Sequence, residues 1–287
     1  ELGQGVFALH LDGFHRRTDD YDIPGNAQLY PDMENEGEHE GEKHDDEEHS
    51  ENDSGTLSNS FLNNEGATGG FSWIGEQWRT GVAYTEYRSD YGIPGGAHEH
   101  ADEEEPGGEE HGEEDVSIRL RSERTEAELV GRDPLPGFEL LKLRFVDTNY
   151  KHTEFEGSEV GTVFTSNSDN ARLELKHNPW GVWQGVFGIQ YTDLDFSAEG
   201  AEAFVPPSTT ETGAAFWIER GDFDALQVDI GMRFEDIKTR VDNTLIEGEG
   251  ATGPSADADF QPFSTSAGIV WDMNETFAFS GSVSYAE

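Results

Sequence analysis

Leu226, Val228, Ile230, Met232 and Phe234 occupy alternate positions of one short stretch, and Gln227, Asp229, Gly231, Arg233 and Glu235 fill the positions between them. A period of two puts successive side chains on opposite faces of an extended strand. The alternation recurs as Leu141, Leu143 and Phe145 against Lys142 and Arg144, and as Trp183, Phe187, Ile189 and Tyr191 against Gln184, Gly188 and Gln190. It returns as Phe277, Phe279, Val283 and Tyr285 against Ala278, Ser280, Ser282 and Ser284, with an early copy in Phe7, Leu9 and Leu11 against His10 and Asp12. The pattern predicts about eleven strands, near 2–14, 66–74, 78–90, 115–130, 138–152, 161–177, 182–196, 211–219, 223–240, 260–272 and 276–286. One face of each is apolar and the other polar.

The connections between these strands alternate in length. Gly75–Gln77, Arg132–Gly137, Asn178–Gly181, Arg220–Asp222 and Met273–Glu275 are short, whereas 15–65, 91–114, 153–160, 197–210 and 241–259 are long. An antiparallel meander with short turns at one end and long loops at the other is the plan of a transmembrane β-barrel with periplasmic turns and extracellular loops. Soluble sandwiches do not sort their connections in this way. Phe71, Trp73, Trp78, Trp180, Trp183, Trp217 and Trp271 fall near turns and strand ends, where a barrel carries its interfacial aromatic girdle. In a soluble β domain the same rings would be core.

Composition supports a wet interior, because 33% apolar and 28% charged residues are poor material for one thick core. No apolar run reaches the ~20 residues of a membrane helix, which excludes helical spans only. Bacterial barrels have even strand numbers, so about eleven strands are expected to be half of a 22-stranded, plugged barrel. Glu1 follows no Met or leader pattern and Glu287 closes a strand-like run, so residues 1–287 are expected to be one partial barrel domain.

A formal charge of −43 argues against nucleic acid and for cationic partners. Much of that charge is concentrated. Residues 32–53 hold 12 acidic residues with His39, His44 and His49, and residues 98–115 hold 10 with His98, His100 and His111. Neither stretch has the apolar periodicity needed to build a packed core. With no cysteine, any metal ligand must be His, Asp or Glu. Carboxylates alone suit calcium or magnesium; imidazole adds zinc, nickel and copper(II). His98 and His100 point to the same side of an extended chain and can offer two nitrogens to one ion, with Asp102 completing the set. Asp45 and Asp46, between His44 and His49, are further carboxylate candidates for the metal. His10 and Asp12, together with His152 and Glu154 at a strand top, are secondary candidates for which a structural role is the favoured reading. A solvated acidic coat remains the competing reading of both loops.

Several segments resemble TonB-dependent outer-membrane receptors: Ser89-Asp90-Tyr91-Gly92-Ile93-Pro94-Gly95-Gly96, its echo Asp20-Tyr21-Asp22-Ile23-Pro24-Gly25, and Arg132-Asp133-Pro134-Leu135-Pro136-Gly137-Phe138. Tyr150-Lys151-His152-Thr153-Glu154-Phe155-Glu156-Gly157 and Ser284-Tyr285-Ala286-Glu287 match as well. The zinc-uptake branch is most similar, with an acidic, His-rich loop after an Ile-Pro-Gly segment. The resemblance implies an outer-membrane location, a 22-stranded barrel with an N-terminal plug, uptake driven by the TonB complex, and no enzymatic step. It also implies zinc as cargo rather than resident cofactor. Arg119, Arg121, Arg172, Glu174, Asp229, Arg233 and Glu235 are then expected to face the lumen. Two rivals share these features: a siderophore or metal-chelate receptor with an acidic coat, and a soluble β-scaffold that buffers metal. No nucleophile, paired catalytic carboxylates or cofactor loop stands out.

Overall fold

The computed structural model describes residues 2–4, 6–26, 54–94, 115–200, 203, 205–241 and 256–287. Among these every regular element is a strand: β1 (Leu2–Gln4), β2 (Phe7–Thr18), β3 (Tyr21–Asn26), β4 (Ser54–Leu57), β5 (Leu62–Ile74), β6 (Trp78–Ile93), β7 (Val116–Leu135) and β8 (Phe138–Glu156). β9 (Glu159–His177), β10 (Trp183–Gly200), β11 (Ser208–Phe223), β12 (Leu226–Val241), β13 (Ala256–Phe260), β14 (Phe263–Asp272) and β15 (Ala278–Ala286) follow. Thirteen of them form one antiparallel sheet in the order β1-β2-β5-β6-β7-β8-β9-β10-β11-β12-β14-β15, with β13 also on β12. β3 and β4 form a separate two-stranded sheet. Among the described residues the large sheet stays open between β1 and β15.

The eleven predicted strands are present with revised ends. Residues 2–14 are not one strand, because β1 turns back on β2 with Leu2 opposite Leu9 and Gln4 opposite Phe7. Residues 260–272 belong to two strands interrupted at Pro262, which has no N–H for the ladder. Their register on β12 is unbroken, from Ile237 opposite Phe260 to Phe234 opposite Phe263. Residues 153–160 are no long loop: β8 and β9 run on to a two-residue turn, with Glu156 opposite Glu159. The short connection placed at Arg220–Asp222 lies inside β11, and the chain turns at Asp224, whose φ is 51°.

Register makes the apolar positions of separate strands into one surface. Leu129, Leu143, Leu173, Ile189, Ala215, Phe234 and Phe263 are successive partners across seven strands. Phe187, Trp217, Met232, Thr265 and Tyr285 form a parallel row. These side chains do not meet each other across a dry centre; Ile189, Phe234, Phe145 and Val283 are 58%, 47%, 43% and 69% exposed. A continuous apolar face of this width requires lipid, since in water it would be an aggregation surface far beyond a normal patch. The opposite face carries Lys142, Glu174, Gly188, Phe216, Arg233 and Ser264 in register, the content of a hydrated lumen.

The apolar band ends before the strands do. β7 has 20 residues, roughly 65 Å of strand, whereas about 9–11 residues span a bilayer. Toward the long-connection end the same outer face changes to Asp147, Asp169, Asp193 and Glu211 in one row. On the neighbouring strands it changes to Glu65, Arg88, Arg121 and Lys151. Arg121 and Arg119 therefore do not line the lumen as expected: they share the face of Leu129 and Ala127. Beyond the bilayer both faces meet water, so side-chain polarity no longer reports which face is inner. Arg172, Glu174, Asp229, Arg233 and Glu235 are on the lumen face.

Close to the short-turn end, the outer face holds a buried polar pair. His177 is fully buried and Glu219 is 5% exposed. The His177 ring faces the Asn178 carbonyl oxygen through Nδ1 at 2.7 Å and the Glu219 carboxylate through Nε2 at 3.1 Å. Trp217 Nε1–H donates to the same carboxylate at 2.9 Å. Trp180 stacks on the imidazole with ring centroids 4.3 Å apart. Gly185, paired with Glu219, permits the arrangement, because a Cβ there would collide with the carboxylate.

Candidate functional site

The two Ile-Pro-Gly segments stand where the acidic stretches leave the fold. In β3, Pro24 and Gly25 (φ 94°) lie at an irregularity in the pairing between Asp22 and Asn26. Proline removes a ladder donor and glycine accepts the left-handed backbone. β6 ends at Ile93, immediately before Pro94. Thus 27–53 emerges from the β3–β4 arm and 95–114 from the ends of β6 and β7, at the long-connection end of neighbouring strands. His39, His44, His49, Asp45, Asp46, His98, His100, Asp102 and His111 all lie outside the described residues.

Both roots are fastened to one short turn. The buried Ser60 accepts a hydrogen bond at Oγ from the Tyr21 N–H at 2.8 Å and donates from the same hydroxyl to the Leu57 carbonyl at 2.7 Å. Its own N–H donates to Asp20 Oδ1 at 2.8 Å, closing the base of the β3–β4 arm. The adjacent Asn59, at φ 54°, donates its amide to the Ile93 carbonyl at 2.9 Å and to the Val116 carbonyl at 2.6 Å. Ile93 and Val116 are the last paired residues of β6 and β7. Gly92 lies against Asn59 so closely that a Cβ would collide with it. Nothing in the sequence pointed to Asn59 or Ser60; Asn59's partners are 34 and 57 residues away along the chain, and Ser60 reaches Asp20 and Tyr21 across 40 and 39.

The secondary candidates do not converge. His10 and Asp12 face the lumen as expected, with His10 Nε2 2.5 Å from Asp12 Oδ2, but they sit toward the short-turn half of β2. His152 is at the other end of β8, its Nδ1 3.0 Å from the Tyr150 hydroxyl and its ring stacked on Phe164 at 4.5 Å. Glu154 Oε1 is 3.8 Å from its Nε2, too long for a hydrogen bond. Among the described residues no three His, Asp or Glu side chains are grouped to hold a metal.

Below these groups the lumen face is a ladder of matched charges. Glu128 meets Arg79 at 2.7 Å and Lys142 at 3.1 Å, and Glu126 meets Arg144 at 3.0 Å and also Arg124. Arg172 binds Glu174 at 2.6 Å and lies 4.3 Å over the Phe216 ring. Arg220 and Asp229 pair at 2.7 Å. Such half-exposed pairs contribute little stability, about 0–1 kcal/mol each. They leave the lumen wall locally balanced, in contrast to the uncompensated segments above it.

Residues 4–287 match the family model described as TonB dependent receptor-like, beta-barrel. Among solved structures, the copper transporter OprC superposes with a TM-score of 0.68 at 11% identity, covering 98% of this chain and 41% of that one. The FrpB iron transporter of Neisseria meningitidis (F3-3 variant) gives 0.68 at 10% identity, covering 98% and 42%. The ferric yersiniabactin uptake receptor FyuA of Yersinia pestis gives 0.61 at 12%, with coverage of 98% and 42%. The chain spans about two fifths of the length of these structures. Lipid-facing apolar rows, a polar inner face and a family match over nearly every residue lead to one conclusion: the chain belongs to the TonB-dependent receptor β-barrel family of the bacterial outer membrane.

Proposed function

We propose that this chain is the mouth and part of the wall of a receptor that captures a divalent transition metal, with zinc as the cargo, and passes it inward in a TonB-driven cycle. The observation that carries the reading is the coincidence of 22 acidic residues and six of the ten histidines in two segments rooted side by side above a charge-balanced lumen. The negative segments concentrate cations by long-range attraction, with a reach set by a Debye length of about 8 Å at physiological salt. Imidazole and carboxylate groups replace part of the metal's hydration shell, and exchange among many weak ligands lets the ion move on. Nickel and copper(II) accept the same ligands, so availability selects among them. The solved structures named above concern copper in one case and an iron chelate in another, so the architecture itself accommodates both kinds of cargo.

Zinc titration of the full chain in detergent at two pH values tests the reading. Only neutral imidazole ligates, so lowering the pH from 7.5 to 5.5 weakens binding about tenfold for each histidine that holds the ion. A purely carboxylate coat changes little in that interval, because Asp and Glu stay ionised above about pH 5. Binding that is flat in pH, or confined to a ferric chelate, removes this proposal in favour of the chelate receptor.

A further inference from the structure

We infer that His152 and Glu154, with the hydroxyl of Thr162, form a low-affinity metal station on the inner wall at the top of β8 and β9; this rests on the metal-capture reading above. His152 and Glu154 occupy alternate positions of β8, on the face that carries Lys142 and Arg144 lower down, and Glu154 pairs with Ile118 near the rim of β7. The imidazole is fixed on two sides. Phe164, its partner on β9, stacks on it with centroids 4.5 Å apart, and Nδ1 lies 3.0 Å from the Tyr150 hydroxyl oxygen. With Nδ1–H donated to that oxygen, Nε2 carries the lone pair and faces Glu154 Oε1 at 3.8 Å. A lone pair and a carboxylate placed so repel each other unless a cation stands between them. Zinc bonds of about 2.0–2.2 Å to nitrogen and oxygen set two ligand atoms about 3.4 Å apart at the tetrahedral angle and about 4.2 Å apart in a straight line. The gap falls inside that interval. The ladder also breaks at this place: Thr153 pairs with Val163 and Phe155 with Val160, so Gly161 and Thr162 stand opposite the one residue Glu154. Such a bulge re-aims side chains. Thr162 shares the face of Phe164, is 1% exposed, and its Oγ1 has no hydrogen-bond partner among the described residues. A buried hydroxyl left so calls for a water or an ion, and a water carried by the metal satisfies it. Two protein ligands completed by water hold zinc less firmly than a closed four-ligand site, which suits a step that must also release the ion.

Nitrogen NMR of the imidazoles tests the station in the full chain in detergent. Replacing the six histidines of the acidic segments with alanine leaves His10, His15, His152 and His177. In that background zinc moves the His152 Nε2 resonance to its metal-bound position and leaves His177 where it was. Glu154→Gln keeps the shape of the side chain and weakens this response by about tenfold or more, with the urea unfolding midpoint unchanged. Thr162→Val, which removes only the hydroxyl, weakens it by a few-fold. A His152 Nε2 that keeps a proton throughout the zinc titration overturns the inference. So does a response that Glu154→Gln leaves intact, or one lost only in step with the stability of the fold. Failure of the capture reading looks different: restoring the six segment histidines then adds nothing to the zinc affinity of the chain, whatever His152 shows.

Discussion

Replacing all six histidines of the acidic segments, His39, His44, His49, His98, His100 and His111, with alanine weakens zinc binding by about a hundredfold or more, while single replacements each cost only a few-fold. The difference follows from redundancy. Twenty-two carboxylates remain in the six-fold variant, and they still attract cations, but oxygen donors alone favour calcium and magnesium over zinc. Two nitrogen ligands lost from one ion correspond to about 2.7 kcal/mol at a hundredfold change in affinity. Isothermal titration with zinc and with calcium separates the two contributions. Zinc affinity collapses and calcium affinity stays. Equal loss for both metals points to misfolding, and loss for neither shows that the histidines are part of a surface coat.

A second large effect is expected far from the metal. His177→Ala costs about 3–5 kcal/mol of barrel stability, because it leaves the Glu219 carboxylate buried on the lipid side with Trp217 Nε1–H as its remaining side-chain donor. Removing both members costs less: His177→Phe with Glu219→Leu restores an apolar surface between Trp180 and Trp217. Urea unfolding in lipid vesicles measures the order. A double variant less stable than His177→Ala alone contradicts the assignment of the loss to a stranded charge. Zinc affinity stays the same in all of these variants, since the pair sits at the short-turn end, away from both acidic segments.

The faces of the sheet were legible in the sequence wherever lipid touches one side and water the other. Leu226 to Phe234 alternate because the bilayer and the lumen impose opposite demands on neighbouring residues, and the register then joins such rows across strands. Past the bilayer that contrast disappears. Residues 153–160 read as a loop because both faces are polar there, yet backbone pairing alone carries β8 and β9 to their turn. Arg119 and Arg121 were given to the lumen for the same reason. The short β3 and β4 lay hidden inside a stretch dominated by its charge.

For the site, the sequence offers candidate ligand types, which lie outside the described residues, and the structure shows the end of the sheet from which their segments depart. The sequence could not yield contacts made by long-range register. His177 and Glu219 meet through Gly185 from 42 residues apart, and Asn59 reaches Val116 across 57. Such partners become neighbours only once strand order and stagger are known. The Ile-Pro-Gly segments resemble those of the family, and the pairing shows their physical role at the root of each acidic stretch: the first interrupts the β3 ladder and the second ends β6.

The central claim is that the apolar rows face lipid and the interposed polar rows face water. A nitroxide scan of β12 from Leu226 to Glu235, in the full chain reconstituted in bilayers, tests it most directly. Collision with dissolved oxygen, which concentrates in lipid, is expected at positions 228, 230, 232 and 234, and collision with a water-soluble paramagnetic reagent at 227, 229, 231, 233 and 235. Even-numbered positions shielded from both reagents would mean that the rows pack against protein in a dry core, and the barrel account would be contradicted.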